Sequence, residues 1–326
     1  MEIAVGLVSE TSFRVPGPGV ADVFGVGRSG VPDSLARALP DGGATVDGSV
    51  YDTTADLVAV KDDPEDLLAT EKTARARAVI SEQEAYSSLH RQPVAPMLRP
   101  TVPGGADGGP SLASVTAIGA ARTGDPSVTD TTERDLDAWW DALCGNDPDT
   151  VLEHLTTTFS LFSLPVTPVR LRGRVLDIAV VTPSRHLLPR HTVGLHGGTL
   201  SIRTASAAHC AWLHRQVVAG IVFWAARQAL ADAPGVSSVR VHALSVEHRG
   251  HYDDVSVVGV SQLDREAVDG ADLSLDAETL LMLHSRGLQW QTGGLHASLQ
   301  SLPLSEAPAL TPLFGRLCRT TAAALA

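Results

Sequence analysis

The chain has 326 residues, 44% of them apolar, enough for a sizeable core and for about two domains of ordinary size. Its net charge of −12 argues against general nucleic-acid binding. The longest apolar run, Val217–Ala226, falls well short of the roughly 20 residues that a membrane span requires.

Aromatic residues are only 4%, so Val, Leu and Ala must do most of the packing. Lysine occurs only at Lys61 and Lys72; arginine carries nearly all the positive charge, a composition that suggests a high-GC bacterial genome. The start Met1-Glu2-Ile3 has no basic region ahead of a hydrophobic stretch, so no signal peptide is expected. Cys144, Cys210 and Cys318 are widely spaced and match neither a disulfide framework nor a zinc module, which fits a reducing cytosol and a cytoplasmic location.

In chain order, residues 2–8, 20–24 and 57–60 read as strands separated by Gly/Pro turns. Gly25-Val26-Gly27-Arg28-Ser29-Gly30 matches G-x-G-x-x-G, but Pro32 and Pro40 bracket the helix that would have to follow it. A helix is predicted from Asp63-Pro64 to about Arg91, with Asp63 as N-cap, Pro64 at the first turn and Pro93 as the stop. Residues 1–91 therefore form a small β-rich module followed by a helix. Residues 92–129 are Gly/Pro-rich and read as a flexible linker. Residues 130–326 form the main domain.

That domain opens with Asp130 and Glu133 at capping-box spacing and a helix carrying Leu136, Trp139, Trp140 and Leu143. A second helix begins at Asp147-Pro148. Residues 166–171 and 175–182 read as a hairpin around Arg172-Gly173-Arg174. A loop with His186, His191 and His196 leads to a strand at 199–203. The stretch from Ser206 to Ala231 is apolar nearly all round, so it predicts a long helix lying against a sheet and covered by other elements. Strands are expected at 239–246 and 255–260, a helix near 276–286, a strand near 288–299 and a terminal helix from about 307. The order predicts an α+β fold with one mixed sheet packed on helices.

Leu136-x-x-Trp139-Trp140-x-x-Leu143, the hairpin, and Ala231-x-Ala233-Pro234-Gly235-Val236 leading into Val239-Arg240-Val241 resemble the C-terminal region of an actinobacterial protein family of unknown function. The resemblance covers residues 130–326. It implies a domain and a host, and it carries no activity with it.

Two clusters stand out as candidate sites. Residues 159–228 hold eight arginines against a single acid, Asp177, in an otherwise acidic chain. Within this segment Arg170, Arg172 and Arg174 are candidate anion-binding residues, because the guanidinium fork matches phosphate and carboxylate. The segment reads either as a docking face for an anionic partner or as a set of internal partners for the acidic remainder. In Glu247–Asp254, His248 and His251 with Asp253 or Asp254 offer nitrogen and oxygen ligands for a divalent metal; the alternative is a solvated hairpin loop. Cys210 and His214 share a helix face, which suits a thiolate–imidazole pair or simple packing.

No catalytic motif emerges, and no cofactor is predicted beyond a possible divalent metal. The primary expectation is a cytosolic bacterial binding or assembly protein with a protein partner or self-association. The alternatives are a metal-dependent hydrolase or nuclease-like enzyme on a phosphate-containing substrate, and a nucleic-acid binder using the arginine-rich segment 170–215. No membrane association is expected.

Overall fold

The computed structural model of the protein describes residues 12–16, 64–100, 133–162, 164–196, 199–249 and 252–310. The expected strands at 2–8, 20–24 and 57–60, the G-x-G-x-x-G stretch, most of the linker and most of the expected terminal helix lie outside the described residues.

Strand β1 is Ser12–Pro16 and helix α1 is Pro64–Ser87, followed by a short 3-10 turn at Leu89–Arg91. Helix α2 is Glu133–Cys144 and α3 is Pro148–Leu161. Strands β2 (Val166–Arg172) and β3 (Val175–Thr182) form the expected hairpin. Strands β4 (His191–His196) and β5 (Thr199–Thr204) form a separate two-stranded ribbon. Helix α4 spans Ala207–Asp232, β6 Ser238–Arg249 and β7 Tyr252–Asp264. The short helices α5 (Arg265–Asp269) and α6 (Ala277–His284) precede β8 (Ser285–Gln289), β9 (Thr292–Gly293) and β10 (Ser298–Leu299). Among the described residues no helix is long and apolar enough to cross a membrane.

The helix starts follow their caps. Asp147 accepts from the Thr150 amide at 2.9 Å, with Pro148 in the first turn. Ser206 accepts from the His209 amide at 3.1 Å, and Asp276 accepts from the Thr279 amide at 3.0 Å. Each satisfies an amide that the helix itself leaves unpaired.

The main sheet runs β1-β7-β6-β3-β2, and β8 also pairs with β7. β3 and β6 are parallel, joined by the β4–β5 ribbon and α4; the other pairs are antiparallel. The fold is therefore α+β with a mixed sheet. Along β3 the alternation is plain: Leu176, Ile178 and Val180 enter the core shared with α4, while Ala179 and Val181 belong to a second apolar cluster with Leu244, Val257 and Leu302. α4 is buried over most of its length. Gly220 of α4 packs beside Leu89, His90 and Ala277, where a Cβ would stand at ordinary contact distance, 3.5–3.7 Å. Tyr86 and Leu89, on the N-terminal side of the expected linker, thus belong to the same core as α4.

Two regions differ from the sequence reading. The stretch 191–196, expected as loop, is strand β4; Val193 and Ile202 stand in register within its ribbon. The polar stretch 247–254, expected as a loop, is mostly paired strand, because β6 and β7 extend to Arg249 and Tyr252. Backbone pairing tolerates polar side chains at a sheet end, so polarity alone misplaces that boundary.

Candidate functional site

The second face of the sheet carries a polar cluster in an apolar setting. Asp177 on β3 is buried, and three contacts fix its surroundings. Arg170 Nε on the neighbouring β2 donates to Asp177 Oδ2 at 2.6 Å. His242 Nε2 on β6 donates to Oδ1 at 3.2 Å. Arg240 Nη1 stands 3.5 Å from the same oxygen. Register explains the convergence: Arg170 is opposite Asp177 in the β2–β3 hairpin, and Asp177 is opposite Arg240 in the β3–β6 pair. Burial opposes the charge on Asp177, but the His242 and Arg170 hydrogen bonds outweigh it and hold the carboxyl below the usual carboxylate range.

Above this cluster lies a cavity of about 380 Å³. Its floor is formed by Arg170, Arg240 and His242 together with Val260 and Gln262 of β7 and Arg286, Gly287 and Gln289 of β8. Its wall is Ser305, Glu306, Pro308 and Ala309 from the segment after β10. That segment is anchored by Leu302, which bridges to Val257, and by Ala307 and Leu310 in the second apolar cluster. Arg240 is held in place by Nη2 donating to Gln262 Oε1 at 2.8 Å, while Arg286, at the exposed rim, pairs through Nε with Asp264 at 3.2 Å. On the wall side, Gln289 Nε2 donates to Glu306 Oε2. His242 Nδ1 and Gln289 Oε1 are buried and have no hydrogen-bond partner among the described residues. The arrangement is a set of oriented N–H donors around a small cavity, which suits a planar oxyanion.

Of the anticipated anion-binding residues, Arg170 belongs to this site. Arg172 is exposed at the end of β2, and Arg174 Nε donates to the Gly235 carbonyl at 3.1 Å. Other arginines of the segment also bond within the chain. Arg185 donates to Ser298, Arg190 to the His186 carbonyl, Arg203 to Ser201, and Arg227 to the carbonyls of His90 and Gln92. Arg215 pairs with Glu278 at 2.8 Å, outside the segment. Of the eight, Arg170 and Arg215 pair with acids, while Arg174, Arg215 and Arg227 donate to backbone carbonyls of other elements.

For the candidate metal ligands, His248 stands in register with Asp253 and Glu247 with Asp254, while His251 lies outside the described residues. Arg14 of β1 stands in register with Asp254. Among the described residues no group of three His, Cys, Asp or Glu could hold a metal ion. Of the helix pair, His214 is buried and donates through Nε2 to the Pro183 carbonyl at 3.1 Å, so its partner is a backbone carbonyl and not Cys210. Burial lowers its pKa to about 4.

Reading the sequence missed Arg240, His242, Gln262, Arg286, Gln289 and Glu306. A signal existed for two of them. Arg240 and His242 interrupt a Val-rich strand at alternate positions, which marks a polar strip on one sheet face, and Asp177 does the same in β3. No family model matches the chain, and neither a curated protein nor a solved structure resembles it significantly.

Proposed function

We propose that the chain is a cytosolic bacterial binding protein that holds a small anionic ligand in the cavity on the second face of its sheet. One observation carries the reading: guanidinium groups from three different strands, Arg170, Arg240 and Arg286, line a single small cavity in a chain whose net charge is −12. Glu306 is the one acid among the lining residues, so the lining itself keeps a positive excess. Asp177 beneath the floor orients Arg170 and Arg240 in advance of binding, which lowers the entropy a ligand must take from them. Positive potential confined to a cleft also favours capture of anions from solution.

Isothermal titration of the full chain at neutral pH with malonate and with inorganic phosphate tests this. Arg286 is the residue to remove. Its side chain is 78% exposed and its pair with Asp264 contributes little to stability, so Arg286→Ala leaves the fold in place. Saturable binding of at least one anion is expected, weakened about tenfold in Arg286→Ala, as suits the loss of one charge-assisted hydrogen bond. Absence of saturable binding to both anions, or equal affinity in the variant, contradicts the reading.

A further inference from the structure

We infer that the site prefers a zwitterion, an α-amino acid with an aliphatic side chain, over the simple anions that its floor also binds; the inference rests on the anion-binding reading of the same cavity. The cavity has two chemically opposite sides. Its floor offers N–H donors from Arg170, Arg240 and Arg286, and Gln262 adds its amide nitrogen because its oxygen already accepts from Arg240. Acceptors stand on the wall, at Glu306, and at the edge of the floor beside it, at Gln289. Glu306 is exposed and uses one carboxylate oxygen for Gln289, which leaves the other open to a ligand. The same bond fixes the Gln289 amide with its nitrogen toward Glu306, so Gln289 Oε1 is an acceptor, and it is buried without a donor.

A simple anion such as malonate or phosphate satisfies the floor but stands against Glu306 and leaves the Gln289 carbonyl unmet, so it is held more weakly than a zwitterion. A carboxylate with an adjacent ammonium satisfies both sides: the planar carboxylate matches the guanidinium forks, and the ammonium supplies the donors that Glu306 and Gln289 lack. Val260 of the floor and Pro308 and Ala309 of the wall add apolar surface for an aliphatic side chain. The cavity, about 380 Å³, lies near the lower end of the range for small-molecule sites, which holds the ligand to this size.

The test uses the full chain and calorimetric titration with valine, leucine and methionine, each beside its N-acetyl derivative and its carboxamide, with malonate and inorganic phosphate as anion controls. At least one free amino acid is expected to bind about tenfold or more tighter than both of its blocked forms, the loss expected from one charged contact. Glu306→Gln, which keeps an oxygen for Gln289, is expected to abolish the difference between the free and N-acetylated forms while leaving the N-acetylated form bound. If N-acetylated and free forms bind alike, or if malonate or phosphate binds and no free amino acid does, the zwitterion inference is overturned and the anion reading stands. If neither the anions nor any amino acid binds, both readings are overturned.

Discussion

Asp232 shows how much a single buried charge can cost this fold. It sits in the last turn of α4, buried, and accepts from Gln228 Nε2 at 2.7 Å. Burial raises its pKa from 3.8 to about 6, against the opposing pull of the Gln228 bond. The neighbouring His154 ring packs edge-on against Trp139 at 5.5 Å and lies beside the Asp232 carbonyl without hydrogen-bond geometry; both its nitrogens lack a partner among the described residues. The folded state therefore binds the Asp232 proton more tightly than the unfolded chain does. This contribution is full below the ordinary carboxylate pKa and is lost as pH rises through about 6. Asp232→Asn removes the penalty. The variant is expected to match the wild type near pH 4 and to exceed it by about 2–3 kcal/mol above pH 7, from a shift of about two pKa units. Chemical denaturation across that range measures it; a gap that does not change with pH, or a variant less stable at pH 8, contradicts the account.

At the scale of elements, α4 depends on how its C-terminal end is closed. Arg265, the first residue of α5, donates through Nη2 to the carbonyls of Leu230 at 2.8 Å, Ala233 at 3.0 Å and Val236 at 2.7 Å. One cation thus serves carbonyls that the helix leaves unpaired, at the negative end of its dipole. Arg265→Met keeps the aliphatic stem and removes the donors. It is expected to cost about 3 kcal/mol, since several carbonyls lose a charged partner together. Urea unfolding reads this directly, and a loss well under 1 kcal/mol contradicts the capping role.

The helices were the legible elements, because their starts are written in local pairs: Asp147 with Pro148, Ser206 ahead of an apolar run, Asp276 with Thr279. The β2–β3 hairpin was legible for a similar reason, its turn residue Gly173 having a φ of 58° between two apolar strands. The ribbon partner β4 was hidden by its histidines, and the ends of β6 and β7 by their charges. The cavity was the least legible feature. Arg170, Arg240, Arg286 and Glu306 come together only through strand register and through the segment that crosses the sheet, and no spacing along the chain encodes that. The histidines and aspartates of 247–254 attracted notice by their local density, whereas the cavity is assembled from residues that are isolated in sequence.

For the molecule as a whole, the two sheet faces divide the work. One face is packed against α4 and the helices around it, with Ile178, Val180, Val241 and Leu263 in a continuous core. The other is covered by a smaller apolar cluster and by the segment 302–310, and it is here that charged side chains are admitted. The helical face supplies stability. The second face, built on strands fixed by that core, offers a rigid floor on which guanidinium groups can be held without a ligand. The central claim is that this floor binds anions. It is tested most directly by titrating the ¹⁵N-labelled full chain with malonate and following the backbone amide shifts. The account predicts that amides at 240–242, 286–289, 305–307 and 309 move together along one saturating curve. Shifts confined to the β6–β7 tip at 247–249 and 252–254, or small linear drifts spread over the surface, would contradict it.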